Sequence, residues 1–368
     1  MSPVDRRFMA MALALAERGL GNVWPNPAVG CVLVKEGRVV GRGWTQPGGR
    51  PHAESEAIGR AGAAARGSTA YVTLEPCAHH GRTPPCTDLM AAAGIARAVV
   101  AAVDPDPRVD GKGIERLRAA GIQVALGCLG EAACRLNAGF FLRMRERRPL
   151  VALKLATSAD GRIATAGGDS KWITGAAARA EGHRLRLRHD AILVGSGTAL
   201  ADDPLLTCRL PGLEARSPVR VVLDRRLRLA PDGRLARSAA RQPLWLFTAE
   251  PESTAAGALR RLGAELHPLA DEPSAAQLRA VLAVLAGQGI TRLLVEGGAA
   301  VATAFLRAGL VDRLHLFDAP LLLGADGRPA TLSLGVERLE AAPRWRRVEE
   351  RLLEDDRVAV LEPVAASG

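Results

Sequence analysis

A basic run at residues 143–148, closed by Pro149, falls between two separate series of alternating strand and helix patterns. No other feature constrains the fold as much. The residue before a proline is pushed out of helical backbone, so such a segment ends whatever regular element precedes it. At 368 residues the chain is long for one core and suits two. The expected units are 1–147 and 148–368.

Within the first unit, the apolar segment near the start reads as an ordinary amphipathic helix rather than a cleaved leader. Asp5 is the expected N-cap, Phe8, Met11 and Leu15 recur at helical spacing, and Gly19 ends it. A loop follows at Trp24-Pro-Asn-Pro27, then a hairpin of strands 29–34 and 38–43 around Glu36-Gly37. The pattern continues with a helix over 53–65, a strand at 70–74, a helix near 87–93 and a strand at 98–103. A loop rich in Pro, Gly and Asp covers 104–113, and a last helix and strand run to Leu126. In the second unit, strands are expected at 150–156, 191–194, 219–223, 244–247, 292–295 and 314–317, with helices including 176–188 and 299–308. Such alternation predicts the α/β class in both units. Hydrophobic residues at 48% and charged residues at 24% agree with a chain that folds throughout.

The net charge of +10 is compatible with nucleic acid, an anionic membrane surface or phosphorylated metabolites. Aromatics are only 3% and no long block of like charge occurs, so the stacking platform of a nucleic-acid binder is missing. Phosphorylated small molecules are the expected partners, with neither nucleic acid nor membrane. Only four of the 49 basic residues are lysines, so codon bias toward arginine is a competing source of the charge. No apolar stretch reaches the ~18 residues that span a bilayer. The six cysteines are scattered rather than arranged as a disulfide framework, which makes the cytoplasm the default location.

The sharpest chemical signal is His52-Ala-Glu54, followed by Pro76-Cys77 and Cys86. One imidazole and two thiolates suit zinc, and three protein ligands leave a fourth tetrahedral position for water, as in a catalytic site. Zinc lowers the pKa of bound water toward neutrality. Glu54, two residues from the ligand His52, is placed to take that proton and pass it to a ring nitrogen and a leaving amine. Cys77 lies just after an expected strand and Cys86 just before an expected helix, where amide donors and the helix dipole favour thiolate. A closed structural zinc site with His79 or His80 as fourth ligand is the competing reading.

Eight residues separate the two cysteines, against two in the P-C-x-x-C of common nucleic-acid deaminases. With that insertion, Thr73-Leu-Glu-Pro-Cys-Ala-His-His-Gly-Arg-Thr-Pro-Pro-Cys86 resembles the signature of the bifunctional deaminase/reductase family of riboflavin biosynthesis. Pro25-Asn-Pro27 with Val29-Gly30, and Gly49 with Pro51-His-Ala-Glu54, are similar to further blocks of it. The resemblance implies a cytidine-deaminase-like three-layer α/β/α domain that removes the 2-amino group of a diamino-ribosylamino-pyrimidinone 5′-phosphate. It also implies that Asn26 bonds the pyrimidine while His79 and Arg82 hold the base or its phosphate. Thr45 stands where the family often has histidine.

Leu153-Lys-Leu-Ala-Thr-Ser-Ala-Asp-Gly161 resembles the opening strand of the family's reductase half, which has a dihydrofolate-reductase-like α/β fold. Ser170-Lys-Trp-Ile-Thr174, Gly195-Ser-Gly-Thr198, residues 201–209 and Val295-Glu-Gly-Gly298 resemble later blocks in order. By this resemblance Ala156, Trp172, Thr198, Asp202 and Gly298 contact NADPH. Lys154, Ser170, Arg186, Leu206, Arg209 and Glu296 surround the substrate, arginine forks matching its phosphate, while hydride transfer to C1′ opens the ribosyl group to ribityl. Family resemblance also implies a homo-oligomer. Two other readings compete: a nucleic-acid or nucleotide deaminase with an unrelated second domain, and a zinc-stabilised RNA-binding module whose binding falls steeply with salt.

Overall fold

The computed structural model describes residues 1–80, 84–270 and 274–364. By internal contacts the chain divides into two compact units, Met1–Arg147 and Arg148–Gly368. The division falls inside the basic run, most of which is the end of a helix that stops at Glu146, with Arg147 in left-handed backbone beyond it.

The first unit contains α1 (Pro3–Ala16), β1 (Gly30–Lys35), β2 (Arg38–Trp44), α2 (Ala53–Ala61), β3 (Thr69–Val72) and α3 (Cys86–Ala92). It continues with β4 (Arg97–Val100), α4 (Lys112–Ala119), β5 (Gln123–Leu126), α5 (Gly130–Leu136) and α6 (Ala138–Glu146). Its sheet runs β2-β1-β3-β4-β5, with β1 antiparallel to both neighbours and β3, β4 and β5 parallel. Side chains alternate between the faces of a strand. A Cβ on Gly30 would lie 1.9 Å from the Ala12 carbonyl oxygen of α1. On Gly41 and Gly43, whose register puts them on the opposite face, it would lie 2.3 and 2.4 Å from the Ala57 and Ala53 carbonyl oxygens of α2. Helices therefore sit directly on both faces, making three layers.

Two details of α1 differ from expectation. Ser2, not Asp5, is the N-cap: its hydroxyl accepts the Asp5 N–H (3.1 Å), and the Asp5 carboxylate accepts the Ser2 N–H (3.2 Å). This reciprocal box places an acid in the first turn, where the helix end favours it. The buried stripe is Phe8, Met9, Ala12 and Ala16, while Met11 is exposed, because small alanines let the helix approach β1 along that line.

The second unit begins with β6 (Leu150–Ser158), β7 (Arg162–Ala164), α7 (Ala176–Leu187), β8 (Ala191–Gly195), α8 (Ser196–Asp202) and β9 (Val219–Leu223). Next come α9 (Arg234–Arg237), β10 (Leu244–Thr248), α10 (Thr254–Arg261), β11 (Glu265–Pro268) and α11 (Ala275–Gly287). It ends with β12 (Arg292–Val295), α12 (Ala299–Arg307), β13 (Arg313–Ala319), β14 (Arg328–Pro329), β15 (Trp345–Leu353) and β16 (Asp356–Pro363). The main sheet has the order β11-β10-β9-β8-β12-β6-β13-β16-β15, parallel from β11 to β13 and closed by an antiparallel hairpin. Val151, Ala152, Leu153, Leu193 and Leu294 are fully buried, as in parallel strands covered on both faces. Chain order runs outward from β8 to β11 and then returns to place β12 between β8 and β6. The carboxyl ends of β8 and β12 thus flank a reversal of strand order, the usual place for a ligand in such sheets.

Candidate active sites

In the first unit, His52 is the residue on which α2 begins, Cys77 follows β3 and Cys86 is the first residue of α3. One ligand atom from each lies within 4.8 Å of the others. The His52 Nδ1 is 3.7 Å from the Cys77 Sγ and 3.4 Å from the Cys86 Sγ, and the Cys86 N–H donates to the Cys77 Sγ (3.3 Å). Hydrogen bonding from Cys86, aided by His52, pulls the Cys77 thiol down to about 4, which favours the thiolate form that a metal ligand needs. This soft, compact donor set fits zinc. Among the described residues neither His79 nor His80 joins the group.

Glu54 sits one residue into α2, 4% exposed, and burial pushes its carboxyl up to about 7. With His52 and Cys77 it lines a cavity of about 580 Å³. Asn26 is on the same wall, its Nδ2 donating to the Gly49 carbonyl (3.1 Å). The buried Thr45 hydroxyl accepts the Val29 N–H (2.9 Å) and donates to the Pro27 carbonyl (3.1 Å), so it braces the loop that carries Asn26. His79 lines the cavity with a buried Nδ1 that has no hydrogen-bond partner among the described residues. Arg82 lies outside the described residues. Sequence reasoning missed Asp104, Asp106 and Arg108 on this wall; their signal is Asp104-Pro-Asp-Pro-Arg108, which by composition reads only as a loop.

In the second unit the structure brings Lys154, Arg186, Arg209 and Glu296 into one electrostatic cluster. The Arg186 guanidinium grips Glu296 with two bonds, Nε–Oε1 2.8 Å and Nη2–Oε2 2.9 Å, and its Nη1 donates to the Thr207 carbonyl (2.9 Å). Against the opposing effect of burial, Arg186 and Lys154 hold the Glu296 carboxyl down at about 2. Burial lowers the Lys154 ammonium, countered by Glu296. Arg209 is tethered by His183, which accepts its backbone N–H (3.3 Å) and which burial, together with Arg186 and Arg209, pushes down to about 4.

A second set lies at the strand reversal. The Gly298 N–H donates to the Thr198 hydroxyl (3.1 Å), linking the ends of β12 and β8. Cβ atoms on Gly195 and Gly297 would both come within 2.7 Å of Val301, so the two turns close on that side chain. Ala156 is two residues beyond Lys154 on β6 and shares its face. Ser170 and the exposed Trp172 occupy the stretch between β7 and α7, where Arg179 stacks 4.7 Å over the indole. Asp202 ends α8 in the open, and Leu206 is buried with a positive φ of 56°.

A cavity of about 390 Å³ adjoins this second set, lined by Ser196, Leu223, Arg225, Arg226, Arg228, Leu269 and Gln277. The Arg228 Nη2 donates to the Ser196 hydroxyl (2.8 Å), and none of these lining residues is acidic. Sequence reasoning missed it, although Arg225-Arg-Leu-Arg228, starting two residues beyond an expected strand, is a readable signal.

Two family models match the chain: the cytidine and deoxycytidylate deaminase zinc-binding region over residues 2–102 and the RibD C-terminal domain over 149–357. The Escherichia coli riboflavin biosynthesis protein RibD is 43% identical over 358 residues, 94% of this chain and 96% of that protein. Among solved structures, Acinetobacter baumannii RibD is similar with a TM-score of 0.88 at 38% identity, covering 98% of this chain and 99% of the other. A Thermotoga maritima diaminohydroxyphosphoribosylaminopyrimidine deaminase/5-amino-6-(5-phosphoribosylamino)uracil reductase is similar with a TM-score of 0.87 at 37% identity, with coverage of 98% and 99%.

Proposed function

Because the chain belongs to the RibD family of riboflavin biosynthesis proteins, we propose that it performs two successive steps on one phosphorylated pyrimidine. The first replaces the 2-amino group of 2,5-diamino-6-ribosylamino-4(3H)-pyrimidinone 5′-phosphate with oxygen and releases ammonia. The second reduces the ribosyl side chain to ribityl, giving 5-amino-6-(5-phosphoribitylamino)uracil. Residues 1–147 carry the deaminase and 148–368 the reductase. The observation that carries this reading is the convergence of His52, Cys77 and Cys86, with the buried Glu54 lining the same cavity as His52 and Cys77.

His52, Cys77 and Cys86 would hold a zinc ion, and a water bound to it would be activated for attack near neutral pH. Glu54 would take a first proton from that water and deliver it to the ring nitrogen, then carry the second from the added oxygen to the departing amine, a role suited to a carboxyl that burial pushes up to about 7. Asn26, held by Gly49, orients the pyrimidine, and His79 with Arg82 binds its base or phosphate. Thr45 acts through the Asn26 loop it braces.

When bound in this unit, NADPH would supply the hydride of the second step. Thr198 and Gly298, bonded to each other at the strand reversal, would frame the cofactor cleft, and family resemblance adds Ala156, Trp172 and Asp202 as cofactor contacts. The arginine-lined cavity beside Ser196 supports the phosphorylated form of the dinucleotide, since Arg226 and Arg228 offer guanidinium forks to a phosphate. Lys154 and Glu296 hold the ribosyl group, with Ser170 and Leu206 beside it. The Arg186 fork is occupied by Glu296, which leaves the substrate phosphate to Arg209. Family membership also implies a homo-oligomer, which sedimentation of the full chain tests.

The deciding experiment is a coupled assay on the diaminopyrimidine ribosyl phosphate, with and without NADPH, for wild type and Glu54→Gln. Expected results are one zinc per chain, ammonia release that requires Glu54, and NADPH oxidation only after deamination. Zinc binding without ammonia from either protein would overturn the deaminase reading.

A further inference from the structure

Glu75 lies two residues before Cys77, is 4% exposed, and does not enter the chemistry proposed above. Its carboxylate accepts four backbone N–H groups. Oε2 takes those of Asp104 (3.2 Å) and Gly111 (3.0 Å), and Oε1 takes those of Gly113 (2.8 Å) and Ile114 (3.1 Å). The donors come from the two ends of the segment 104–114, whose middle lays Asp106, Arg108 and Val109 along the cavity wall.

The segment is braced internally. Asp104 Oδ1 accepts the Asp106 N–H (2.8 Å), and Asp106 Oδ1 accepts the Arg108 N–H (2.9 Å) and its Nε (3.0 Å). Glu75 joins this unit to the strand end that carries the metal ligand. Fit at the joint is close, because a Cβ on Gly113 would lie 2.2 Å from the Pro76 carbonyl oxygen and 2.9 Å from Glu75 Oε1. Only an ionised carboxylate matches the demand, since it offers about four lone-pair sites and no donor. A glutamine offers two such sites and turns two N–H groups toward N–H groups.

We propose that Glu75 is a positioning residue of the deaminase, which fixes the wall formed by Asp104, Asp106 and Arg108 and so governs substrate binding rather than the metal. The proposal rests on the reading of this cavity as the deaminase site. Fixing a wall by one buried anchor pre-orders the site, and its loss shows in KM while the reacting groups on α2 and α3 keep their places.

The test uses the full zinc-loaded chain with Glu75→Gln and, as a second variant that keeps the carboxylate but crowds the joint, Gly113→Ala. Deamination kinetics, zinc content and exchange rates of the Asp104, Gly111, Gly113 and Ile114 amides are measured. Expected for both variants is a KM raised about tenfold or more, since Glu75→Gln removes acceptor sites from buried donors and Gly113→Ala forces the joint apart, with kcat changed less than about twofold and zinc retained. In Glu75→Gln the four amides exchange faster than in wild type. Unchanged KM in both variants, or loss of zinc together with kcat at constant KM, overturns the role of Glu75. A wild-type chain that releases no ammonia from this substrate overturns the deaminase reading itself.

Discussion

Arg186 and Glu296 meet in a two-pronged ion pair, 2.8 and 2.9 Å, that ties α7 to the turn following β12. Both side chains are about seven-eighths buried, and Lys154 adds a second cation toward the same carboxylate. Replacing Glu296 by Gln leaves two cations without their counter-charge. Breaking such a pair costs about 3 kcal/mol. Glu296→Gln is expected to lower reductase kcat/KM by about 10- to 100-fold and to leave ammonia release unchanged, as read by NADPH oxidation on the deaminated substrate. Equal loss of both activities would mean a general folding defect instead.

Removal of the metal separates the two activities in the opposite sense. A chain stripped by chelation is expected to release no ammonia while still oxidising NADPH with deaminated substrate. Stripping also exposes chemistry at Cys77, whose thiol is pulled down to about 4 by Cys86 and His52, whereas burial raises those of Cys31 and Cys128. Mass spectrometry after brief iodoacetamide treatment should find Cys77 alkylated first, with zinc protecting it.

The cavity beside Ser196 makes a prediction about cofactor choice. The double variant Arg226→Ala with Arg228→Ala removes two cations of its lining. Reductase kcat/KM with NADPH is expected to fall about 10- to 100-fold, from lost charge-assisted hydrogen bonds, and with NADH to change little. Parallel loss with both cofactors would place these arginines elsewhere in the reaction.

Acid stability of the first unit follows from Asp5. Arg97 donates to both its oxygens (2.8 and 3.2 Å) and Tyr71 to one (3.1 Å), and Arg97, aided by the Ser2 bonds, holds the carboxyl well below the usual range. A folded-state pKa below the unfolded value gives stability that is complete above the unfolded value, about 4, and is lost as pH falls from there toward the depressed one. Asp5→Asn is expected to cost about 2 kcal/mol at pH 7. The gap from wild type should narrow as pH drops below about 4. Urea titration followed by exchange protection of the β3 amides measures it.

Much of the fold is legible in the residue pattern alone. The strands expected at 219–223 and 292–295 match β9 and β12 residue for residue, since fully buried parallel strands announce themselves as short apolar runs between turns. The zinc donor set is equally legible, because each ligand sits at a junction marked by Pro76, Pro85 or the start of a helix pattern. The hairpin of β15 and β16 is not, for β15 reads Trp345-Arg-Arg-Val-Glu-Glu-Arg-Leu-Leu353 and is largely exposed at the sheet edge, with no apolar alternation to see. The α1 cap lies three residues from its expected position because Asp5 and Ser2 both cap well and only their reciprocal bonds decide. The Glu75 anchor is invisible for another reason: its four partners are backbone amides, which carry no residue-type signal.

The bare faces of Gly41 and Gly43 carry a last consequence. They let α2 rest on strand backbone, and α2 bears Glu54 and begins at His52. Any side chain there must lift the helix, and the imidazole and carboxylate move with it. A saturation library selected for growth without added riboflavin should therefore be as empty at positions 41 and 43 as at 52 and 54, although neither glycine is among the residues lining the cavity. Mutational intolerance in this unit would then map the seating of a helix as sharply as it maps the chemistry.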